Sequence, residues 1–231
     1  MDLNRAEFDV LAQGLYQVAR EIPDKWGHVQ NNAYDNELKR YCNIFAVQSL
    51  EELNRHIRQF DVDHQKYYKK RWFATKCADC DEYLFYSNDN IVHNPNRYDK
   101  EWDILINDHI KFDVKGTVIP AEMRDDYQTV LADPSDMIKF FYDKQSRGVR
   151  YDMQNRLFIV HHSLTGEDRS KRIRACWGIK EKIYKRYAQE AENIEFKEYE
   201  GCVASVIFIV ETEPGVIKYK IDGLDNDLVT I

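Results

Sequence analysis

Residues 101–117 read EWDILINDHIKFDVKGT, and their pattern decides the fold of this chain. Apolar and polar residues alternate on both sides of a short polar segment, which is typical of two half-buried strands joined by a turn. A three-residue turn over 107–109 would pair Ile104 with Phe112 and keep one face apolar. A two-residue turn would mix the two faces, and a slip of one residue would bury charge. We therefore predict a hairpin with the three-residue turn.

The polar face of this hairpin carries the candidate chemistry. The register sets Asp103 across from Asp113, with Lys115 two residues further along the same face. Facing Cβ atoms in such a pair lie about 4.5–5.5 Å apart, so the two carboxylates repel unless a cation lies between them. Carboxylate oxygens are ligands of Mg²⁺, which activates water and stabilises charge on phosphate oxygens. The pattern therefore predicts a site for Mg²⁺ or Mn²⁺ with a lysine beside it.

These residues resemble the motif of the PD-(D/E)XK nuclease superfamily, the fold of many restriction and repair enzymes. The match is Asp103, then nine residues, then Asp113-Val114-Lys115. The resemblance implies an α/β fold with a central mixed sheet flanked by helices, a restriction-endonuclease-like core. It also implies that Asp103, Asp113 and the backbone carbonyl of Val114 bind the metal. Lys115 would then assist the attacking water.

The motif is short, so the secondary structure around it is more informative than the residue types alone. An acid-x-lysine triplet occurs at 37–39, at 113–115 and at 195–197. Only the second lies on an alternating strand with another aspartate at hairpin distance. Trp102 stands where the superfamily usually has proline. The alternative interpretation is a hairpin with a charged and solvated outer face.

The superfamily often adds an acidic ligand from a helix that precedes the sheet. Glu37 is one candidate for this position, and Glu51 or Glu52 is another. Each of them also fits an ordinary exposed glutamate on a helix surface. The sequence does not choose among them.

Periodicity and turn residues predict the rest of the chain. We expect one folded unit in which an N-terminal helical portion, 1–76, packs on a nuclease-like core, 77–231. Loops are expected over 23–32 and 120–133, and a loose acidic tail from Asp222. The expected helices cover 1–20, 33–59, 65–76, 134–148 and 169–192, and the expected strands cover 83–86, 91–93, 156–162, 203–210 and 216–221.

The net charge of −7 is unusual for a protein that binds nucleic acid, since phosphate binders carry basic surface. The distribution of charge matters more than its sum. Two basic segments supply candidate contacts to nucleic acid, and the alternative is a pair of solvated helix faces. The candidates are Lys69, Lys70, Arg71, Arg172 and Arg174.

Composition excludes several other classes of protein. No apolar run reaches the roughly 18 residues that span a bilayer, and the N-terminus lacks the pattern of a signal peptide. A cytoplasmic location and no membrane partner are therefore expected. The five cysteines are an odd number and do not indicate a disulfide framework. Cys77 and Cys80 form half of a zinc site, and thiols in a turn are favoured over structural zinc.

Two functions follow from these features. The first is a metal-dependent nuclease that hydrolyses phosphodiester bonds in nucleic acid, with DNA as the default substrate and RNA still open. The second is a non-catalytic subunit that binds nucleic acid or protein on a nuclease-like fold. A homodimer and a separate partner subunit are both compatible with the sequence.

Overall fold

The computed structural model describes residues 2–22, 33–96, 99, 101–144, 154–165 and 169–231. Over these residues the protein has a mixed α/β fold with helices flanking a central mixed sheet, which confirms the predicted fold class. Its helices are α1 (Arg5–Glu21), α2 (Ala33–Leu38), α3 (Leu50–Ile57), α4 (Val62–Tyr86), α5 (Tyr127–Ala132), α6 (Ser135–Lys144), α7 (Ser170–Arg174) and α8 (Trp177–Gln189). Its strands are β1 (Ile91–His93), β2 (Ile104–Ile106), β3 (Ile110–Val118), β4 (Arg156–Ser163), β5 (Lys197–Tyr199), β6 (Cys202–Glu213), β7 (Val216–Ile221) and β8 (Val229–Thr230).

The strands follow the order β1-β2-β3-β4-β6-β7-β8, and β5 pairs with the beginning of β6. β4 lies parallel to both β3 and β6, and all other neighbours are antiparallel. The first three strands form an antiparallel meander, and the chain passes through α5 and α6 before it enters β4. A crossover helix between the Asp-x-Lys strand and a parallel strand is the order that the resemblance implies.

The two faces of the sheet bury two separate sets of side chains, because neighbouring residues on a strand point to opposite sides. Val114 and Ile159 lie on the face that is covered by α1, α4 and α8. Phe158 lies on the opposite face and packs against Met137 and Phe141 of α6. Asp113 and Lys115 alternate with Val114, so they belong to the α6 face.

α4 is the longest of the described helices. The sequence predicts a helix over only part of it, 65–76, and a strand over 83–86. Its N-cap is Asp61, whose carboxylate accepts hydrogen bonds from the backbone of Asp63 and His64. The helix continues through 83–86, so the strand predicted there is wrong. It also contains Cys77 and Cys80, which are buried helical residues and not part of a turn. A helix that packs against neighbours on nearly all sides lacks the single apolar stripe that sequence analysis detects.

Other predicted boundaries also needed correction. The single helix over 33–59 is two helices, and Ser49 caps the second by accepting a hydrogen bond from the Glu52 backbone. The loop over 120–133 contains a 3-10 turn and α5, and the helix over 169–192 is interrupted near Cys176. The tail is ordered, since β8 pairs with β7. The predicted loop over 23–32 and the helix end at Gly148 lie outside the described residues.

The N-terminal helices and the sheet share one set of buried residues. Phe8 and Leu11 of α1 belong to the same cluster as Phe112 and Val114 of β3. The boundary expected between residues 76 and 77 lies inside α4, so one helix runs through both portions. Among the described residues, none of the helices has the length and apolar composition that crossing a membrane requires.

Candidate functional site

The hairpin of β2 and β3 has the predicted register. Ile104 faces Phe112 and Ile106 faces Ile110, which confirms the three-residue turn. Asn107 and Asp108 both adopt positive φ angles, 50° and 56°, a conformation that Asn and Asp tolerate better than most residues. This turn chemistry fixes which side chains of the two strands face each other.

Asp103 lies one residue before β2 and is held by the backbone of β3. Its N–H donates to the carbonyl of Phe112 at 2.8 Å. Its carboxylate accepts the N–H of Val114 at 2.7 Å, so the Asp103 side chain is attached to the residue between Asp113 and Lys115. Asp103 therefore lies next to the Asp-x-Lys triplet and contacts its backbone.

Asp113 is buried on the α6 face, where two cations surround its carboxylate. The Nζ of Lys115 donates a short hydrogen bond to one carboxylate oxygen. The Nε of Arg156 lies 3.7 Å from the other oxygen, and the Arg156 guanidinium lies over the ring of Tyr142. Lys115 is the more accessible of the two cations, with about 34% of its side chain exposed. The negative charge of Asp113 is thus already balanced within the protein.

Glu82 of α4 is the acidic helix residue that sequence analysis missed. Its carboxylate pairs with Nε2 of His93 at 3.3 Å, and Nδ1 of His93 contacts Asp2 at 2.7 Å. Glu82 and Asp103 line the same cavity of about 350 Å³. A prediction that had continued α4 beyond residue 80 would have placed Glu82 on the helix immediately before the sheet.

The cavity has an acidic lining. Asp79, Glu82, Asp99 and Asp103 contribute to it, together with Lys76 and His93, whereas Asp113 and Lys115 do not line it. Burial raises the pKa of Asp103 to about 7, and the charge of Glu82 is the next largest cause. Burial likewise raises the pKa of Glu82, against the effect of its hydrogen bond with His93. The cavity therefore holds carboxylates whose ionised forms are destabilised.

The carboxylates of this cavity are chemically suited to a hard divalent cation, but they are not close enough together to hold one. Among the described residues, no three His, Cys, Asp or Glu side chains are grouped closely enough to hold a metal ion as they stand. Asp103 and Glu82 nevertheless offer carboxylate oxygens, the ligands that Mg²⁺ prefers. A cation between them would also relieve the repulsion that raises the pKa of Asp103. Closure around one ion would require rotation of side chains.

Glu37 does not belong to this site. Its carboxylate lies 3.2 Å from Nε2 of His64 in the first turn of α4. Glu82 lies 18 residues further along the same helix, which corresponds to about 27 Å at 1.5 Å per residue. Glu51 and Glu52 lie in the first turn of α3, where Glu52 bonds to the backbone of Gln48. Glu82 replaces all three as the acidic helix residue next to Asp103.

The predicted contacts to nucleic acid lie in three different environments. Lys69 pairs with Glu21 and Arg71 pairs with Asp35, so these two cations already have acidic partners. Lys70 is buried, and it lines a second cavity together with Arg174. Arg172 is exposed on the surface of α7. The first basic segment is thus mainly tied to the protein's own carboxylates.

Cys77 and Cys80 lie one turn apart on α4 and are both buried. Burial raises the pKa of the Cys77 thiol to about 12 and raises that of Cys80 well above its usual value. These thiols therefore stay protonated and contribute to packing as small apolar groups.

No protein-family model matches this sequence, and neither the curated proteins nor the solved structures provide a match to the chain. Function can therefore be inferred only from the arrangement of the residues themselves.

Proposed function

We propose that the protein is a metal-dependent nuclease that hydrolyses phosphodiester bonds in nucleic acid. One observation carries the proposal: Asp103 and Glu82 line a single cavity, and the Val114 hydrogen bond attaches Asp103 to the strand of Asp113 and Lys115. DNA is the expected substrate by analogy with the superfamily. A cytoplasmic location accompanies this proposal, and a homodimer or a partner subunit is compatible with it.

Each residue has a separate task in this proposal. Asp103 and Glu82 would hold Mg²⁺ or Mn²⁺ at their shared cavity. Asp113 does not line that cavity, so its carboxylate would have to turn away from Lys115 and Arg156 before it and the carbonyl of Val114 could complete the ligand set. A divalent cation supplies Lewis acidity, which neutralises charge on phosphate oxygens and makes nearby water more acidic. Lys115 can turn its partly exposed amine from Asp113 to the attacking water or to a phosphate oxygen.

Cleavage of nucleic acid is the direct test. Purified protein should cut plasmid DNA in the presence of Mg²⁺ or Mn²⁺ and should be inactive in EDTA. Asp113→Asn should lower the rate at least about 100-fold, because it weakens the binding of the cation that neutralises charge on the reacting phosphate. Asp108→Asn changes an aspartate in the turn of the same hairpin and should cut as fast as wild type. A parallel assay with single-stranded RNA determines the substrate.

A metal titration separates a nuclease from the alternative, a non-catalytic binding subunit. The pairing of Asp113 with Lys115 and Arg156 favours this alternative, because a carboxylate with two cationic partners needs no metal. Mn²⁺ should raise the melting temperature of wild type and of Asp108→Asn, and should leave Asp103→Asn nearly unchanged. Absence of both cleavage and Mn²⁺ binding in the wild-type protein would rule out the nuclease.

A further inference from the structure

A second cavity, of about 300 Å³, lies where β3 and β4 end, beneath α4 and α7. In α/β sheets this position, beyond the carboxyl ends of parallel strands, is a common place for ligands. None of the residues discussed above as metal ligands lines this cavity. Its polar lining includes Lys70, Thr117, Arg124, His161, Lys171 and Arg174.

The charge of this cavity is positive. Four of its lining residues are lysines or arginines, and the part of the lining that the structure describes contains no acidic side chain. Lys70 is only 4% exposed, so its cationic group lies within the protein. A concave site lined by side chains of one charge attracts ligands of the opposite charge, in this case anions.

Arg174 is placed against β3 because residue 116 is glycine. A Cβ atom at Gly116 would lie 2.7 Å from Nη2 of Arg174, so any larger residue would displace the guanidinium. The Nε of Arg174 is buried and has no hydrogen-bond partner in the described part of the chain. An arginine fork that is held in place with a vacant donor is suited to phosphate oxygens.

His161 supplies a second vacant polar atom. Its side chain is almost completely buried, and its Nδ1 bonds to the carbonyl of Thr117 at 3.1 Å. A carbonyl only accepts, so Nδ1 is the donor and carries the proton. Nε2 is buried without a partner among the described residues. It can accept from the P–OH of a phosphate, or donate to a phosphate oxygen once it is protonated.

We infer that this cavity binds a phosphate group, either as inorganic phosphate or as the phosphate of a small monoester. Arg174 and Arg124 would pair with its oxygens, and His161 would close the inner end of the site. The volume is at the lower end of the range for small-molecule sites. Burial, followed by the charges of Lys180 and Arg174, lowers the pKa of His161, and a bound anion would oppose this effect. The inference does not depend on the nuclease proposal.

Thermal unfolding with inorganic phosphate tests the site, against sodium chloride at matched ionic strength. Wild type should show a saturable rise in melting temperature, as expected for a ligand that binds only the folded state. Arg174→Gln should weaken the apparent affinity at least about tenfold, because a charge-assisted hydrogen bond is lost. Arg172→Gln, on the same helix but outside the cavity, should behave as wild type. No shift in wild type, or equal shifts in all three proteins, would overturn the inference.

A second comparison distinguishes the two sources of the phosphate. A nucleoside 5′-monophosphate that binds more tightly than inorganic phosphate supports a monoester ligand, and the reverse order supports free phosphate. Binding of the unphosphorylated nucleoside with the same affinity as the monophosphate would contradict a phosphate site altogether.

A measurement on the wild-type protein avoids any problem of variant folding. Imidazole ¹⁵N spectra should show a phosphate-dependent shift of the His161 Nε2 resonance. The partly exposed His56 on α3, which lies outside the cavity, should not change. An unchanged His161 resonance at phosphate concentrations that saturate the thermal shift would place the bound anion elsewhere.

Discussion

The two cavities share one helix but have opposite charge. α4 contributes Lys70, Phe73 and Ala74 to the basic cavity, and it contributes Asp79 and Glu82 to the acidic one. Lys70 and Glu82 are separated by twelve residues, which is about 18 Å along the helix. The net charge of −7 therefore says little about what the surface can bind, because charges of each sign are concentrated in separate places.

The largest expected effect comes from the buried ion pair that joins α4 to α8. The Nζ of Lys180 donates to Asp81 at 2.6 Å and to the carbonyl of Arg174 at 3.1 Å. Asp81→Asn would leave the Lys180 charge buried without its counter-ion. We expect a loss of about 3–5 kcal/mol in the free energy of unfolding, measured with urea.

The control for this variant is Glu181→Gln. Glu181 is a partly exposed acid on α8 that pairs with Arg5, and such surface pairs contribute less than about 1 kcal/mol. Equal losses in Asp81→Asn and Glu181→Gln would show that the buried pair does not anchor α4.

The next effect concerns the pH dependence of the acidic cavity in EDTA. The folded pKa of Asp103 is about 7, whereas an unfolded aspartate has a pKa near 3.9. Only the folded state holds this proton between those values, so the stability contribution falls as pH rises from about 4 to 7 and is constant above. Asp103→Asn removes the effect and still accepts the Val114 N–H. Relative to wild type, it should be roughly 2–3 kcal/mol more stable at pH 8 than at pH 5.

Asp108→Asn is the matched variant for the pH series, and its stability relative to wild type should be the same at both pH values. A wild-type protein that gains stability between pH 5 and 8 relative to Asp103→Asn would show that Asp103 is not held in its neutral form.

A smaller effect is expected on phosphate binding in the basic cavity. Gly116→Ala should displace the Arg174 guanidinium and weaken phosphate binding about tenfold, or roughly 1.4 kcal/mol. The displaced group is the end of a flexible side chain, so the cost in stability should stay below about 1 kcal/mol. Gly178→Ala is the control, because its Cβ would meet no atom within 4 Å. Equal phosphate affinities in Gly116→Ala and Gly178→Ala would show that Arg174 does not bind the ligand.

The smallest effect concerns the histidine beside Glu82. The hydrogen bond with Glu82, and then that with Asp2, raises the pKa of His93 above its usual value of 6.5. The stabilisation from the Asp2 pair is complete below the unfolded pKa and is lost as pH rises through the folded pKa. Because Asp2 is largely exposed, Asp2→Asn should cost less than about 1 kcal/mol at pH 5.5 and almost nothing at pH 9. Urea unfolding at the two pH values measures the difference, and a larger cost at pH 9 would contradict this account.

The hairpin was predictable because local rules determine it. Alternation of apolar and polar residues and the Asn107-Asp108 turn specified the register of Ile104 against Phe112, which the structure confirms. The strand after the crossover helix was also readable, since Leu157–Val160 is a continuous apolar run. These features depend on residues that are close in sequence.

The rest of the site depended on contacts that the sequence does not display. Tyr83 and Phe85 suggested a strand, but they are buried in a helix that has neighbours around most of its circumference. Glu82 was missed for the same reason. The break before α3 left a readable signal in Ser49 and Glu52, a serine followed three residues later by glutamate. The partners of Asp113 could not be predicted, because Arg156 comes from a strand 43 positions later.

The ends of the sheet restrict how two copies of this protein could associate. β1 has three residues and β8 has two, so each outer strand offers few unpaired N–H and C=O groups to another chain. Short outer strands are one way in which proteins avoid joining sheet to sheet. A dimer that extended the sheet at β1 or β8 would therefore gain few hydrogen bonds, and these two outer strands favour association through other surfaces of the protein.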